Sequence, residues 1–198
     1  MWAALLPEAG PLCIAPAAMS AAPAPQHVPI LRPIVLVGLM GVGKSTVGRR
    51  LAHRLHMPFV DSDHEIEEAA GLSVAEIFAR YGEEEFRDGE RRVIARLIEG
   101  APKVIATGGG AFMSEQTRTL ILERAIAVWL DADIDVLVER VGRRAGSRPL
   151  LHGTDPRQKL ADLAKIRNPI YALAQIHIRS RPLPHDAAVD AILKELGR

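Results

Sequence analysis

One run of eight residues, 38–45, has the composition and spacing of a phosphate-binding loop. It reads Gly-Leu-Met-Gly-Val-Gly-Lys-Ser and matches the pattern G-x-x-x-x-G-K-[ST] at every fixed position. The glycines let backbone N–H groups turn toward one anion, the Lys44 ammonium can reach the outer phosphates, and the Ser45 hydroxyl can bind Mg²⁺. The residue types therefore predict a nucleotide-phosphate site. A glycine-rich turn that happens to precede Lys-Ser is the structural alternative.

The residues on either side of this loop favour the phosphate-binding interpretation. The apolar stretch Ile34–Val37 precedes it, and Val47, Leu51 and Leu55 recur at helical spacing after it. A strand, a loop and a helix in this order are what a P-loop requires, because the helix N-terminus adds partial positive charge toward the phosphates.

Two aspartates, Asp61 and Asp63, stand where a second predicted strand ends. Ligands of open parallel sheets bind at that end of the strands, and alternate residues leaving a strand point to the same side. The spacing predicts that Asp61 holds Mg²⁺ and that Asp63 accepts a hydrogen bond from a substrate hydroxyl. Loop or helix-cap aspartates are the alternative. Asp131 is a rival carboxylate for the metal, but its position predicts that it caps the next helix together with Asp133.

A run of three glycines and two separated arginines could also bind anions. Residues 108–110, all glycine, directly follow a predicted strand and permit close approach of a ligand to backbone N–H groups. Taken alone, a flexible connection explains them better. Arg87 lies three residues before Glu90, so a surface ion pair on a helix is its ordinary explanation. Arg167 precedes Asn168 and Pro169, and the proline predicts that the helix is interrupted there.

The segment 142–149 resembles a mobile lid. It contains Arg143, Arg144 and Arg148 among glycine and proline, and it lies between two predicted helices. Such a segment could bring positive charge over a transferring phosphate. Scattered solvated arginines would give the same composition.

From residue 34 onward, strand-like apolar runs alternate with helical patterns, which predicts an α/β fold with a parallel sheet and helices on both faces. The predicted strands are residues 34–37, 58–61, 103–107, 125–130 and 175–179. Ser73 and Glu76 have the spacing of a capping box and open one helix. Further helices are predicted at residues 83–98, 156–164 and 187–196, and after Asp133.

Composition excludes several classes of function. The net charge of +1 argues against a nucleic-acid-binding surface. No stretch is long and apolar enough to cross a membrane, and the seven histidines lack metal-ligand spacing. Cys13 is the only cysteine, which excludes an intrachain disulfide and fits a reducing compartment. We therefore expect a cytoplasmic protein whose ligands are small molecules.

Residues 1–32 differ from the rest of the chain. They are rich in Ala and Pro, and Glu8 and Arg32 are their only Asp, Glu, Lys or Arg. They lack the basic start of a signal peptide, and prolines interrupt any apolar helix. The composition predicts a disordered leader at 1–32 and one folded domain at 33–198.

In their order along the chain, the segments GLMGVGKST, FVDSD, EEEFRDGE, ATGGGAF, RPLL and KIRNPIY resemble the shikimate kinase family. A P-loop alone is widespread, but its combination with D-x-D, E-F-R, G-G-G and R-x-P-x-Y is specific. The resemblance implies a monomer with the three-layer P-loop kinase fold, a five-stranded parallel sheet of order 2-3-1-4-5 and a mobile lid. It implies phosphoryl transfer from MgATP to the 3-hydroxyl of shikimate, in the chorismate branch of aromatic amino-acid biosynthesis.

The same resemblance implies a role for each matching residue. Catalytic roles fall to Lys44, Asp63 and Arg148. Shikimate would be held by Asp63, Arg87, Gly109, Gly110 and Arg167, with Glu90 bracing the arginines. ATP would be bound by Gly41, Val42, Gly43, Lys44, Ser45, Thr46, Arg144 and Arg148. Mg²⁺ would be held by Ser45 and Asp61.

Two other classes of function share parts of this pattern. A gluconate kinase or a nucleoside monophosphate kinase would share the P-loop, but the glycine run and the two separated arginines favour a rigid cyclic carboxylate. A non-catalytic nucleotide-binding or GTP-switch module would leave the lid arginines without a task, and the sequence contains no N-K-x-D element.

Overall fold

A five-stranded parallel sheet lies at the centre of the computed structural model, which describes residues 30–142, 155–180 and 185–198. The strands are β1 (Ile34–Val37), β2 (Phe59–Asp61), β3 (Val104–Ala106), β4 (Ile126–Ala132) and β5 (Ile176–Ser180). Their order in the sheet is β2-β3-β1-β4-β5, and every neighbouring pair is parallel. The five predicted strands and the implied strand order are confirmed.

Seven α-helices within the described ranges connect or follow these strands. They are α1 (Lys44–Leu55), α2 (Ser62–Ala70), α3 (Val74–Ile98), α4 (Glu115–Arg124), α5 (Ile134–Gly142), α6 (Pro156–Tyr171) and α7 (His185–Glu195). Every residue of β1 and β3 is buried. Both faces of these central strands are therefore covered by helices, as parallel sheets require, in a three-layer α/β arrangement.

Close packing fixes the P-loop between β1 and α1. Val47 and Leu51, two of the residues at helical spacing, are buried in the same core as β1. A side chain at Gly48 would lie 2.5 Å from the Phe59 ring, so α1 approaches β2 more closely than any larger residue would permit. The start of α1 is thereby held at the carboxyl end of the sheet.

The capping box predicted at Ser73 is confirmed. The Ser73 hydroxyl accepts from the Glu76 N–H, and the Glu76 carboxylate accepts from the Ser73 N–H. The two predicted helices join into α3, with Gly82 in a non-helical conformation (φ 82°, ψ 177°) at a kink between them. Glycine adopts that conformation without a steric penalty, so Gly82 can separate the two helical halves of α3.

The prediction that Pro169 interrupts the helix at Arg167 is wrong, because α6 continues through Pro169 to Tyr171. A proline removes one backbone donor, and near the end of a helix few further bonds depend on it. The Ala172 N–H still donates to the Asn168 carbonyl at 2.9 Å. Arg167 and Tyr171 therefore lie one helical turn apart on the same face.

Helices α2 and α4 were not predicted by the sequence pattern. In α4 the apolar residues Leu120, Ile121 and Leu122 are consecutive rather than spaced by a helical turn. Asp61 ends β2 and Asp63 lies in the first turn of α2, so the two aspartates do not leave one strand as expected.

Some predictions concern residues outside the described ranges. Residues 1–29 of the leader and the lid arginines Arg143, Arg144 and Arg148 belong to this group. Arg32, assigned by composition to the leader, donates to the Glu123 and Ala125 carbonyls at 2.8 Å, so it contacts the folded domain. No described helix combines the length and apolar character needed to cross a bilayer.

Candidate active site

A cavity of about 770 Å³ opens at the carboxyl end of the sheet. The P-loop, α2, α3, the glycine run after β3 and α6 all contribute to its lining. The predicted site residues among that lining are Gly41, Gly43, Lys44, Ser45, Thr46, Asp61, Asp63, Arg87, Gly109, Gly110 and Arg167. Val42, between Gly41 and Gly43, is buried in the core, and its predicted contact with ATP stays a prediction. Residues that are distant in the sequence thus meet at the edge where parallel α/β sheets bind ligands.

The P-loop has the backbone geometry of an anion site. Gly41 and Gly43 have φ angles of 82° and 99°, which L-residues with side chains rarely adopt. Gly43 caps α1, and no side chain in the described part of the chain caps that N-terminus. The first-turn N–H groups of α1 are therefore directed at the cavity, where an anion would satisfy them. The Lys44 ammonium donates to the Gly38 and Leu39 carbonyls at 2.7 and 3.1 Å.

Ser45 and Asp61 form a pair of oxygen donors beside the P-loop. The Ser45 hydroxyl donates to Asp61 Oδ2 at 2.7 Å, while Asp61 Oδ1 accepts from the Asp63 N–H at 3.2 Å and caps α2. Asp61 therefore caps α2, as the helix-cap interpretation predicted, and its role as a metal ligand stays a prediction. Two hard oxygen donors next to a phosphate site fit Mg²⁺, which takes few protein ligands and completes its shell with phosphate and water. Among the described residues, no three His, Cys, Asp or Glu side chains form a metal-binding group.

Asp63 reaches the cavity from the first turn of α2. Burial raises the pKa of its carboxyl, and the nearby Asp61 carboxylate raises it further, while Lys44 and Arg87 oppose the shift. A pKa moved toward neutrality makes a carboxylate a better proton acceptor at physiological pH. The Asp63 Oδ1 atom lies 2.7 Å from the position that a Cβ on Gly108 would occupy, so it faces the glycine run.

Arg87 is a cavity residue whose side chain is only 25% exposed. It donates to Glu90 at 2.6 Å and to Glu83 at 3.3 Å, and its guanidinium lies over the Phe86 ring at 5.2 Å. Burial would lower its pKa, but the Glu90 and Glu83 carboxylates raise it, so the group stays charged. The predicted i, i+3 pair exists, but it forms a wall of the cavity rather than the protein surface.

Arg167 reaches the same cavity from α6. Its guanidinium donates to the Gly109 carbonyl at 3.1 Å, and the Tyr171 hydroxyl donates to the same oxygen. Tyr171 is fully buried, and burial raises the pKa of its hydroxyl to about 12, so it remains a donor. Two groups on one face of α6 thereby fix the glycine run. The Arg87 guanidinium lies against Gly110 and that of Arg167 against Gly109, and both side chains line the cavity.

Glu90 is a buried carboxyl group of the site, at 1% exposure. Burial raises the pKa of its carboxyl to about 7, although Arg87 opposes the shift. The sequence suggested only a bracing role, because burial at a mid-helix glutamate leaves no local signal.

Two cavity residues, Arg140 and His185, were not recognised in the sequence. Arg140 donates to the Val42 carbonyl at 3.1 Å, and the His185 ring would lie 3.0 Å from a Cβ on Gly43. Burial lowers the pKa of His185, and the Arg140 and Arg50 charges lower it further. An ion pair of 2.7 Å between Arg50 and Asp186 ties the start of α7 to α1. Both residues are far from the P-loop in sequence, so no local pattern could have identified them.

The prediction that Asp131 caps a helix is wrong. Asp131 lies inside β4, pairs in register with Arg179 of β5, and places its carboxylate 3.4 Å from the His177 ring. It does not line the cavity. Asp133 does precede α5, and its carbonyl accepts from the Leu137 N–H, but its carboxylate pairs with Arg179 at 3.0 Å.

Gly110 offers a test of the Arg87 position. A Cβ on Gly110 would overlap the Arg87 guanidinium, so we expect Gly110→Ala to displace that side chain and weaken binding of a carboxylate ligand roughly tenfold or more. Gly89→Ala is the matched control on α3, because a Cβ there meets nothing within 4 Å. Ligand affinity measured by calorimetry compares the two variants, and equal affinities would contradict the assignment.

Several known proteins are similar to this chain over most of its length. A family model described as shikimate kinase matches residues 40–197. The chain is 61% identical over 170 residues to a shikimate kinase of Zymomonas mobilis, covering 86% of this chain and 96% of that protein. A shikimate kinase of Caulobacter vibrioides is 58% identical over 163 residues, with 82% and 81% covered. A solved shikimate kinase from Acinetobacter baumannii in complex with shikimate is 40% identical, with a TM-score of 0.80, and covers 85% of this chain and 95% of its own.

Proposed function

Because this chain belongs to the shikimate kinase family, we propose that its cavity transfers a phosphoryl group from ATP to the 3-hydroxyl of shikimate. The observation that carries the proposal is the meeting of a P-loop, an aspartate of raised pKa and two arginines in one cavity. A kinase for a hydroxylated carboxylate needs these three elements: a phosphate cradle, an acceptor for the hydroxyl proton and a carboxylate clamp.

The clamp consists of Arg87, Arg167 and the glycine run. Each guanidinium can give two parallel N–H bonds to a planar carboxylate, which fixes the orientation of the ring as well as its position. The backbone N–H groups of Gly109 and Gly110 add hydrogen-bond donors for the ligand, which can come close to the backbone because glycine has no side chain. The carboxylates of Glu90 and Glu83 hold Arg87 in place before the substrate arrives, so little side-chain entropy is lost on binding.

Asp63 and Lys44 serve the chemical step. Asp63 accepts the proton as the substrate oxygen forms its bond to the γ-phosphorus, and the bond from that phosphorus to the leaving ADP oxygen breaks. Lys44 moves from the P-loop carbonyls to the phosphate oxygens and stabilises their charge during transfer. Arg148 is proposed to add a second positive charge from the lid, and Arg144 to contact the nucleotide.

Ser45 and Asp61 are the proposed Mg²⁺ ligands, together with phosphate oxygens and water. The ion, when bound, neutralises charge on the β- and γ-phosphates. Gly41, Val42, Gly43 and Thr46 are proposed to cradle those phosphates through their backbone and the Thr46 hydroxyl. Arg140 and His185, which line the P-loop end of the cavity, are added to the proposed nucleotide contacts.

We infer a cytoplasmic enzyme of the shikimate pathway that acts as a monomer. The absence of any cysteine besides Cys13 supports a reducing compartment. Size-exclusion chromatography with light scattering tests the monomer, and a mass of twice 21.5 kDa would contradict it.

The purified protein is expected to convert shikimate and ATP to shikimate 3-phosphate and ADP only when Mg²⁺ is present. A coupled assay of ADP release, with gluconate and AMP as competing acceptors, measures this directly. Undiminished turnover in excess EDTA would contradict the assignment of Ser45 and Asp61 as Mg²⁺ ligands. Faster phosphorylation of gluconate than of shikimate would contradict the proposed substrate and favour the alternative function, a sugar-acid kinase.

Arg87→Lys and Arg167→Lys are each expected to weaken shikimate binding about ten- to a hundredfold, because lysine cannot form a two-pronged contact with a carboxylate. ATP binding should change little. Arg92→Lys is the matched control for α3, since Arg92 is exposed and pairs only with Asp88 among the described residues. Calorimetric titration with shikimate measures the affinity of each variant. If both variants bind shikimate as tightly as the wild type, the carboxylate of shikimate does not bind to these two arginines.

A further inference from the structure

The Glu90 carboxyl has one oxygen satisfied and one without a partner. Oε2 accepts from Arg87 at 2.6 Å, whereas Oε1 is buried and has no hydrogen-bond partner among the described residues. Oε1 lies 3.1 Å from the position a Cβ on Gly108 would occupy, and Asp63 Oδ1 lies 2.7 Å from the same point. Two carboxylates therefore crowd one side of the glycine run, at the wall of the cavity.

This arrangement weakens the preference of Glu90 for its ionised form, so a further negative charge nearby can bring it to the neutral form. An ionised carboxylate that is buried with an unsatisfied oxygen loses hydration without full compensation, and a second carboxylate nearby adds repulsion. A neutral carboxyl instead carries an O–H donor at Oε1, which would have an acceptor in Asp63 or in a bound hydroxyl, while Oε2 still accepts from Arg87. The raised pKa of about 7 agrees with this balance.

The groups facing Glu90 come from three elements. Arg87 on its own helix and Arg167 on α6 favour the ionised form, whereas Asp63 on α2 opposes it. Tyr171 on α6 stays protonated and contributes no charge. The two arginines are the groups that the proposed function assigns to the substrate carboxylate. A carboxylate bound to them supplies the negative charge that Glu90 supplies in the free protein.

We propose that Glu90 takes up a proton when shikimate binds, so that the neutral carboxyl holds Arg87 through Oε2 and donates through Oε1 to an oxygen in the cavity. This inference rests on the proposed function, because it needs shikimate at Arg87 and Arg167. Glu90 is thus a positioning residue whose protonation is coupled to substrate binding. Below about pH 6 the proton is already present, and above pH 7 it must come from solvent. Shikimate affinity therefore falls as the pH rises through 7 to 8.5, by up to about tenfold per pH unit.

Calorimetric titration of the full chain with shikimate tests the coupling. The heat is measured at pH 6 and pH 8 in buffers of different ionisation enthalpy, and its slope against that enthalpy gives the protons taken up. We expect an uptake approaching one proton at pH 8 and close to none at pH 6. The substrate carboxylate is ionised throughout this range and contributes nothing to the slope.

Two variants assign the proton to its residue. Glu90→Gln replaces the carboxyl with a neutral group of the same shape, so it should bind shikimate with no uptake and with an affinity independent of pH from 6 to 8.5. Glu84→Gln is the control, since Glu84 is an exposed glutamate of the same helix that does not line the cavity, and it should behave like the wild type. A purely structural brace would lose affinity equally at every pH.

A wild-type heat that is the same in all buffers at pH 8 would overturn the inference and leave the proposed function intact. Uptake that persists in Glu90→Gln would also overturn it, because another group then takes the proton. If Glu90→Gln does not fold, the proposal is tested by infrared difference spectra of the wild type with and without shikimate. Shikimate must convert a carboxylate signal into that of a neutral acid, and the lack of this change refutes the inference. Failure of the wild type to bind shikimate would overturn the proposed function itself.

Discussion

Replacing Asp63 with asparagine is expected to lower kcat about 10²–10⁴-fold, the usual contribution of a positioned proton acceptor. Asparagine keeps the size of the side chain and can still contact a hydroxyl, so KM should rise less than kcat falls. The folded domain should not lose stability, because burial and the Asp61 carboxylate disfavour the ionised form of Asp63. Steady-state kinetics and thermal melting of the same preparation measure the two effects.

Asp88→Asn is the matched control for this substitution. Asp88 lies on α3 and pairs with Arg91 and Arg92, with a side chain that is 46% exposed. It should leave kcat unchanged. A kcat for Asp63→Asn within a few-fold of the wild type would exclude Asp63 as the proton acceptor and reduce it to a binding contact.

Replacing Lys44 with alanine is expected to lower kcat about 10²–10³-fold, because its charge stabilises the phosphoryl group most strongly during transfer. Shikimate affinity should be nearly unchanged, since the clamp formed by Arg87 and Arg167 lies on other elements. Binding of ATP should weaken as well, because Lys44 lies at the start of α1 where the phosphates bind. Rapid-quench kinetics at saturating ATP separate the chemical step from binding.

Lys103→Ala serves as the control for Lys44→Ala. Lys103 is a partly exposed residue outside the cavity, and its ammonium donates to the Glu99 carbonyl at 3.4 Å. Its removal should alter neither kinetic constant. Equal kcat values for Lys44→Ala and the wild type would mean that the P-loop lysine has only a structural role with the Gly38 and Leu39 carbonyls.

The predictions that succeeded from sequence rest on local patterns. The P-loop is identified by eight consecutive residues, and its strand and helix by the apolar residues on either side. The capping box at Ser73 needs only a spacing of three residues, and the strands are short apolar runs between turns. The strand order was implied by the family resemblance and not by any of these patterns, because which strands become neighbours depends on the whole chain.

The predictions that failed, at Asp131 and at Pro169, also concern contacts between distant parts of the chain. β4 extends through Asp131 because β5 pairs with it there, and a single sequence does not contain that pairing. Helix α6 passes Pro169 because Arg167 and Tyr171 both contact the Gly109 carbonyl, 58 and 62 residues away, which outweighs one lost backbone bond. In both cases a tertiary contact prevailed over a local preference.

The sequence by itself determined which chemical groups this protein possesses: a phosphate loop, paired aspartates, a glycine run and separated arginines. Only the tertiary structure decided which of them share a cavity, that Arg140 and His185 join them, and that Glu90 is buried beside Asp63 rather than exposed on a helix. The reason is that residue type and spacing fix local conformation and chemistry. Burial, the pKa values that follow from it and the convergence of distant groups arise only when α2, α3 and α6 pack around the end of the sheet.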